Sequence, residues 1–121
     1  VDMVVPRDKI PEYLRRVQDI AQQRGSRVFG CGHAGDGNIH FSVYEPDDER
    51  RETLLHEIYA MGMGLGGAIS GEHGIGRTKR EHLAALEDPV KLALWRRIKD
   101  AFDPAGILNP GVVLPEVPHE V

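Results

Sequence analysis

Apolar positions along the chain fall into a short run, a helical stripe, two extended runs and a second helical stripe. Asp2 to Val5 is a brief apolar run stopped by Pro6, which predicts a strand. Ile10, Leu14, Val17, Ile20 and Ala21 then recur at helical spacing as far as Gly25. Arg27 to His33 and Asn38 to Tyr44 read as two extended segments around Asp36-Gly37, a dipeptide that accepts the positive φ values of a tight hairpin turn. A second amphipathic helix, capped by Asp47 or Asp48, carries Leu54, Leu55, Ile58, Met61 and Leu65 and ends at Gly66-Gly67. Ala68 to Ser70 is expected to add a last short strand. The order β-α-β-β-α-β predicts an α+β fold of the ferredoxin-like split type, an antiparallel sheet with its helices on one face. Beyond it, Asp88-Pro89 caps a third helix with an inner stripe of Leu92, Trp95, Ile98 and Phe102, and Asp103-Pro104 stops it. Asn109-Pro110-Gly111 begins an aperiodic, Pro-rich tail. Residues 1–70 thus hold the ferredoxin-like part, and 71–121 a glycine-rich loop, helices and tail, within one domain.

The hairpin concentrates the chemistry. With Asp36 and Gly37 as the two central turn residues, Gly35 pairs with Asn38 and His33 falls directly opposite His40. Opposed Cβ atoms lie roughly 4.5–5.5 Å apart, close enough for two imidazoles to meet one ion at about 2.0–2.1 Å. Phe29, Cys31, Ser42 and Tyr44 share that face. Val28, Gly30, Gly32, Ala34, Ile39, Phe41 and Val43 form an apolar face that should carry the helices. Glu72, in Ser70-Gly71-Glu72-His73-Gly74-Ile75-Gly76, completes a His2Glu set of the kind that holds catalytic zinc and leaves a coordination position open. His73 is then free for acid–base work on a hydroxyl acidified by the ion.

Each residue also has a plainer reading. Histidines at this spacing suit surface or hydrogen-bonded structural roles, Asp36 and Asn38 suit a turn, and Cys31 suits a small buried apolar position. Gly62-Met63-Gly64-Leu65-Gly66-Gly67 imitates a dinucleotide-binding fingerprint but ends a helix rather than following a strand. Arg77, Lys79 and Arg80 suit either a carboxylate site or a solvated helix start, and His56 and His82 suit the surface of their helices.

Composition narrows the classes. At 121 residues and 40% hydrophobic content the chain can bury one modest core. A net charge of −4, with Lys and Arg dispersed, leaves no footprint for a phosphate backbone, which argues against a nucleic-acid partner. No apolar run approaches the roughly 18 residues that span a bilayer, and no signal-like segment opens the chain, so a soluble, cytoplasmic protein is expected. The single Cys31 suits a reducing compartment. Val1 stands where an initiator Met is absent, which suggests a piece of something longer.

Three motifs in order carry a family likeness. His-Ala-Gly-Asp-Gly-Asn-Ile-His at 33–40, Gly-Glu-His-Gly-Ile-Gly at 71–76 with Lys79-Arg80 after it, and Asp-Pro-Ala-Gly-Ile-Leu-Asn-Pro-Gly at 103–111 resemble the C-terminal region of FAD-linked oxidases. The likeness is greatest to the FAD-linked subunit of glycolate oxidase and to D-lactate and D-2-hydroxyglutarate dehydrogenases. It implies a flavoenzyme in which a separate N-terminal domain binds FAD and this part caps the substrate. It further implies that His33, His40 and Glu72 hold a divalent ion, zinc or manganese, that His73 is the base toward a small 2-hydroxy acid, and that Asn109 lies near the flavin. The FAD-binding domain of the family is missing from these residues, so the chain alone is expected to be inactive and to depend on that domain, with an electron-accepting subunit as a further partner. The rival reading is a non-catalytic ferredoxin-like module that binds metal or dimerises through its sheet, and self-association of the exposed polar face suits either reading.

Overall fold

Pro6 ends the first strand and the following turn leads straight into a helix that starts with Pro11 in its first turn, where a missing N–H costs nothing. The computed structural model describes residues 1–115. Its elements are strand β1 (Asp2–Val4), helix α1 (Ile10–Gln23), strands β2 (Arg27–His33) and β3 (Asn38–Tyr44), and helices α2 (Asp48–Gly64), α3 (Arg80–Leu86) and α4 (Pro89–Phe102). The chain divides into two units, Val1–Gly74 and a second from Ile75 onward.

In the first unit the three strands form an antiparallel sheet in the order β1-β3-β2. Residues Ile39 and Phe41 on the apolar face of β3 are buried, as is Met3 of β1. The alternation read from the sequence therefore assigns the helix-bearing face correctly. Helix α1 presents Tyr13, Val17 and Ala21, spaced four apart in one row, to that face. Tyr13 meets Phe41 edge-on at 5.6 Å and donates its hydroxyl to the Ile58 carbonyl of α2 at 3.0 Å. Burial, then the neighbouring Tyr59, pushes the Tyr13 hydroxyl well above the usual phenol range. Asp47 caps α2 by accepting from the Arg50 amide at 2.9 Å.

The expected last strand at 68–70 is reduced to one bridge, Val4 with Ala68, closed by two backbone hydrogen bonds of 3.0 and 2.8 Å. The cause lies just downstream. Ser70 Oγ and the next three amides donate to the carboxylate of Asp2 instead of to a strand ladder.

In the second unit α3 buries Leu83 and His82, so His82 is not the surface residue expected. Helix α4 runs over the predicted span, and Asp88 caps it by accepting from the Val90 amide at 2.8 Å. Its apolar stripe is not an inner one: no residue of α4 is buried, and Ile98 and Phe102 are 50% and 83% exposed. The pattern makes one side of α4 apolar, and among the described residues nothing buries it. Among the described residues no helix is long and apolar enough to cross a membrane.

Candidate metal centre

The strand pairing overturns one expectation and keeps its consequence. Cys31 lies opposite His40, and His33 opposite Asn38. The connection is longer than a two-residue turn: Ala34–Asp36 form a 3-10 turn, and Gly37 closes it at φ 75°. Tertiary structure explains the difference. The Gly37 carbonyl accepts from the Val5 amide at 3.0 Å, which ties the turn to the end of β1. A Cβ on Gly37 would lie 2.2 Å from the Val5 carbonyl oxygen. His33 is thus diagonal to His40 rather than opposite it. Because the slip is two residues and side chains alternate with period two, both imidazoles still share a face. Their ring centroids lie 5.5 Å apart and nearly perpendicular.

Asp2, which sequence reasoning assigned no role, organises the third contributor. Its side chain is fully buried, and its Oδ2 accepts from Ser70 Oγ at 2.9 Å and from the amides of Gly71, Glu72 and His73 at 3.0, 3.1 and 2.9 Å. Four donors compensate the cost of burying a carboxylate. The chain at 70–73 is wound around one oxygen, and close approach at Gly71 is essential: a Cβ there would lie 2.6 Å from the buried Asn38 side chain. Only an alternation break, a charge at the second position of an apolar run, hinted at Asp2 in the sequence.

This loop delivers Glu72 to the histidines. Glu72 Oε1 lies 3.0 Å from His40 Nε2, 3.3 Å from His33 Nε2 and 3.9 Å from His73 Nε2. His33, His40 and Glu72 offer one donor atom each within 4.8 Å of one another. His40 is the most enclosed at 18% side-chain exposure, whereas Glu72 and His33 are more than half exposed. His73 stacks on His40 at 4.8 Å between ring centroids, with 18° between their planes. Two imidazole nitrogens and a carboxylate oxygen on one open surface can accept a borderline divalent cation and leave room for a further ligand. Beside them lies an open hollow of ≈ 360 Å³ lined by Phe29, Cys31, His40, Ser42 and His73. Burial and then the charge of Asp2 push the Tyr59 hydroxyl up to about 12.

Other expectations are revised here. Cys31 is exposed on the histidine face, not buried: the 70–73 loop covers Asp2 and Asn38 on that side of the sheet and leaves Cys31 open. His56 is half-buried in α2. Of Arg77, Lys79 and Arg80, the exposed Arg77 donates to the Pro110 carbonyl at 3.2 Å, Lys79 is buried, and Arg80 donates to the Gly111 carbonyl at 2.8 Å and to the Glu81 carboxylate at 2.9 Å. Asn109 belongs to the second unit, exposed and at φ 46°, a left-handed conformation that Asn tolerates. The turn at 106–108 is held by Asp103, whose carboxylate accepts from the Ile107 and Leu108 amides at 3.1 and 2.9 Å. A hydrogen bond from Lys99, reinforced by those amides, holds the Asp103 carboxyl below the usual carboxylate range.

A family model described as FAD linked oxidases, C-terminal domain, matches residues 1–113. The chain belongs to that family. An uncharacterized FAD-linked oxidoreductase of Mycobacterium tuberculosis strain H37Rv is 53% identical over 93% of this chain and 25% of its own length. A D-lactate dehydrogenase of Anaerostipes hadrus is 40% identical over 93% of the chain and 25% of its own length. The glycolate oxidase subunit GlcD of Escherichia coli K12 is 39% identical over 95% and 24%. This C-terminal oxidase domain therefore spans about a quarter of the length of the curated relatives it matches.

Proposed function

We propose that this chain is the substrate-side part of a FAD-dependent oxidase or dehydrogenase of small 2-hydroxy acids, glycolate or D-lactate in type, assisted by a divalent metal ion. The observation that carries the proposal is the convergence of His33 Nε2 and His40 Nε2 on Glu72 Oε1, with a fourth group, His73, stacked beside them. The donor set suits zinc, and manganese is the alternative. We read the sheet as a ferredoxin-like unit whose fourth strand survives as the Val4–Ala68 bridge.

A bound zinc ion supplies Lewis acidity to the substrate hydroxyl, and FAD held elsewhere in the protein supplies the hydride acceptor. The chain's own residues do the rest. His33, His40 and Glu72 would hold the ion. His73 takes the hydroxyl proton at Nε2 as the 2-hydroxy acid becomes the 2-oxo acid. The hollow over Cys31 and Ser42 leaves space for the substrate beside His73. Asn109 is proposed to approach the flavin. The glycine run at 62–67 closes α2, with Gly62 packed on Met3, and so offers no phosphate cradle. Accordingly, the isolated chain is proposed to be inactive until joined by its FAD-binding domain.

Metal titration tests the reading. Zinc should bind the chain, and binding should weaken in His33→Ala, His40→Ala and Glu72→Ala while His73→Ala retains it. Loss of binding in His73→Ala alone would overturn the division of roles.

A further inference from the structure

We infer that Asp2 is the positioning residue of this centre, the group through which strand β1 fixes both His40 and the Glu72-His73 loop. The inference rests on the metal reading proposed above. Asp2 pairs with His40 in the β1–β3 register, so the two side chains stand on one face of the sheet. One carboxylate oxygen gathers Ser70 Oγ and three successive amides, the concave row of N–H groups that suits an anion. The other oxygen, Oδ1, lies 3.7 Å from His40 Nδ1. That distance is ion-pair range, not a formed hydrogen bond, and it sets the orientation of the ring: Nδ1 faces the buried carboxylate and Nε2 faces Glu72.

A carboxylate behind the far nitrogen of a ligating histidine favours the tautomer with its proton on that nitrogen and leaves the other lone pair for the ion. Asp2 meets this requirement and, through its second oxygen, holds the backbone that carries the third ligand and the base. The placement also explains why so costly a burial is kept: a charge with no solvent exposure occupies the second position of a three-residue strand.

Three measurements on the chain decide the matter. Nitrogen-15 NMR of the zinc-loaded wild type should find His40 protonated at Nδ1 and bound through Nε2, with the Gly71, Glu72 and His73 amides protected from exchange. In Asp2→Asn that tautomer preference and amide protection should fall, and zinc affinity should drop roughly 10- to 100-fold, the usual effect of losing such a partner. Ser70→Ala removes one loop contact but leaves Oδ1, so it should keep the His40 tautomer. A wild-type His40 protonated at Nε2, or an Asp2→Asn chain that binds zinc as tightly as wild type, overturns the inference. Should Asp2→Asn fail to fold, the wild-type tautomer decides alone. Should no variant and no wild type bind zinc, the metal reading falls, while the loss of amide protection in Asp2→Asn still judges Asp2.

Discussion

Gly37→Ala probes the corner that sets the hairpin register. The new methyl group meets two obstacles: φ is 75°, and the Val5 carbonyl oxygen lies 2.2 Å from the Cβ position. The left-handed conformation costs an L-residue about 1–2 kcal/mol. Relieving the contact must move the turn away from Val5, and the Val5 N–H to Gly37 carbonyl bond of 3.0 Å goes with it. That loss adds about 0.5–1.5 kcal/mol net, and more if a buried donor stays unpaired. Restricting the unfolded chain returns about 0.4–1 kcal/mol. The balance is a destabilisation of about 2 kcal/mol. With a urea slope of about 1–3 kcal/mol/M, the midpoint should fall by roughly 1 M or more. Gly35→Ala is the internal control, since it has a normal φ and nothing within 4 Å of the added atom. Circular dichroism during urea unfolding reads both. If Gly37→Ala lies within about 0.5 kcal/mol of Gly35→Ala, the usual spread of a neutral surface change, the tie between turn and β1 does not hold the register.

Two further outcomes follow from named contacts. Ser26 Oγ donates to Glu45 Oε2 at 2.5 Å, and this bond, with the Asp47 amide and the Arg50 charge, holds the Glu45 carboxyl below its usual range. A depressed folded value means the contribution is present above the ordinary carboxylate range and is lost as pH falls through the folded value. Ser26→Ala should therefore lower stability at neutral pH and flatten its decline on the acid side, as urea midpoints across that range would read. Asp88→Ala removes the cap of α4 and should cost about 1 kcal/mol in thermal unfolding, with no change in zinc affinity.

Much of this molecule was legible in its sequence because period and punctuation are local. Arg27 to His33 and Asn38 to Tyr44 are strands over the predicted spans, and Asp47 and Asp88 are the caps. The sharing of a face by His33 and His40 survived a wrong turn because parity tolerates a shift of two. Long-range partners were not legible. The turn was misread because Val5, far along the chain, captures Gly37, and the last strand shrank because Asp2 captures the amides at 71–73. Asp2 itself was invisible as a site residue: its meaning depends on a loop about 70 residues away. The stripe on α4 has helical period, and period alone does not say which side is covered.

The most direct test of the account is zinc K-edge X-ray absorption on the metal-loaded chain. A first shell of two imidazole nitrogens and a carboxylate oxygen at about 2.0–2.2 Å, with no sulfur, is the predicted result. A sulfur scatterer at about 2.3 Å would place the ion on Cys31, and a shell without imidazole would remove the centre altogether.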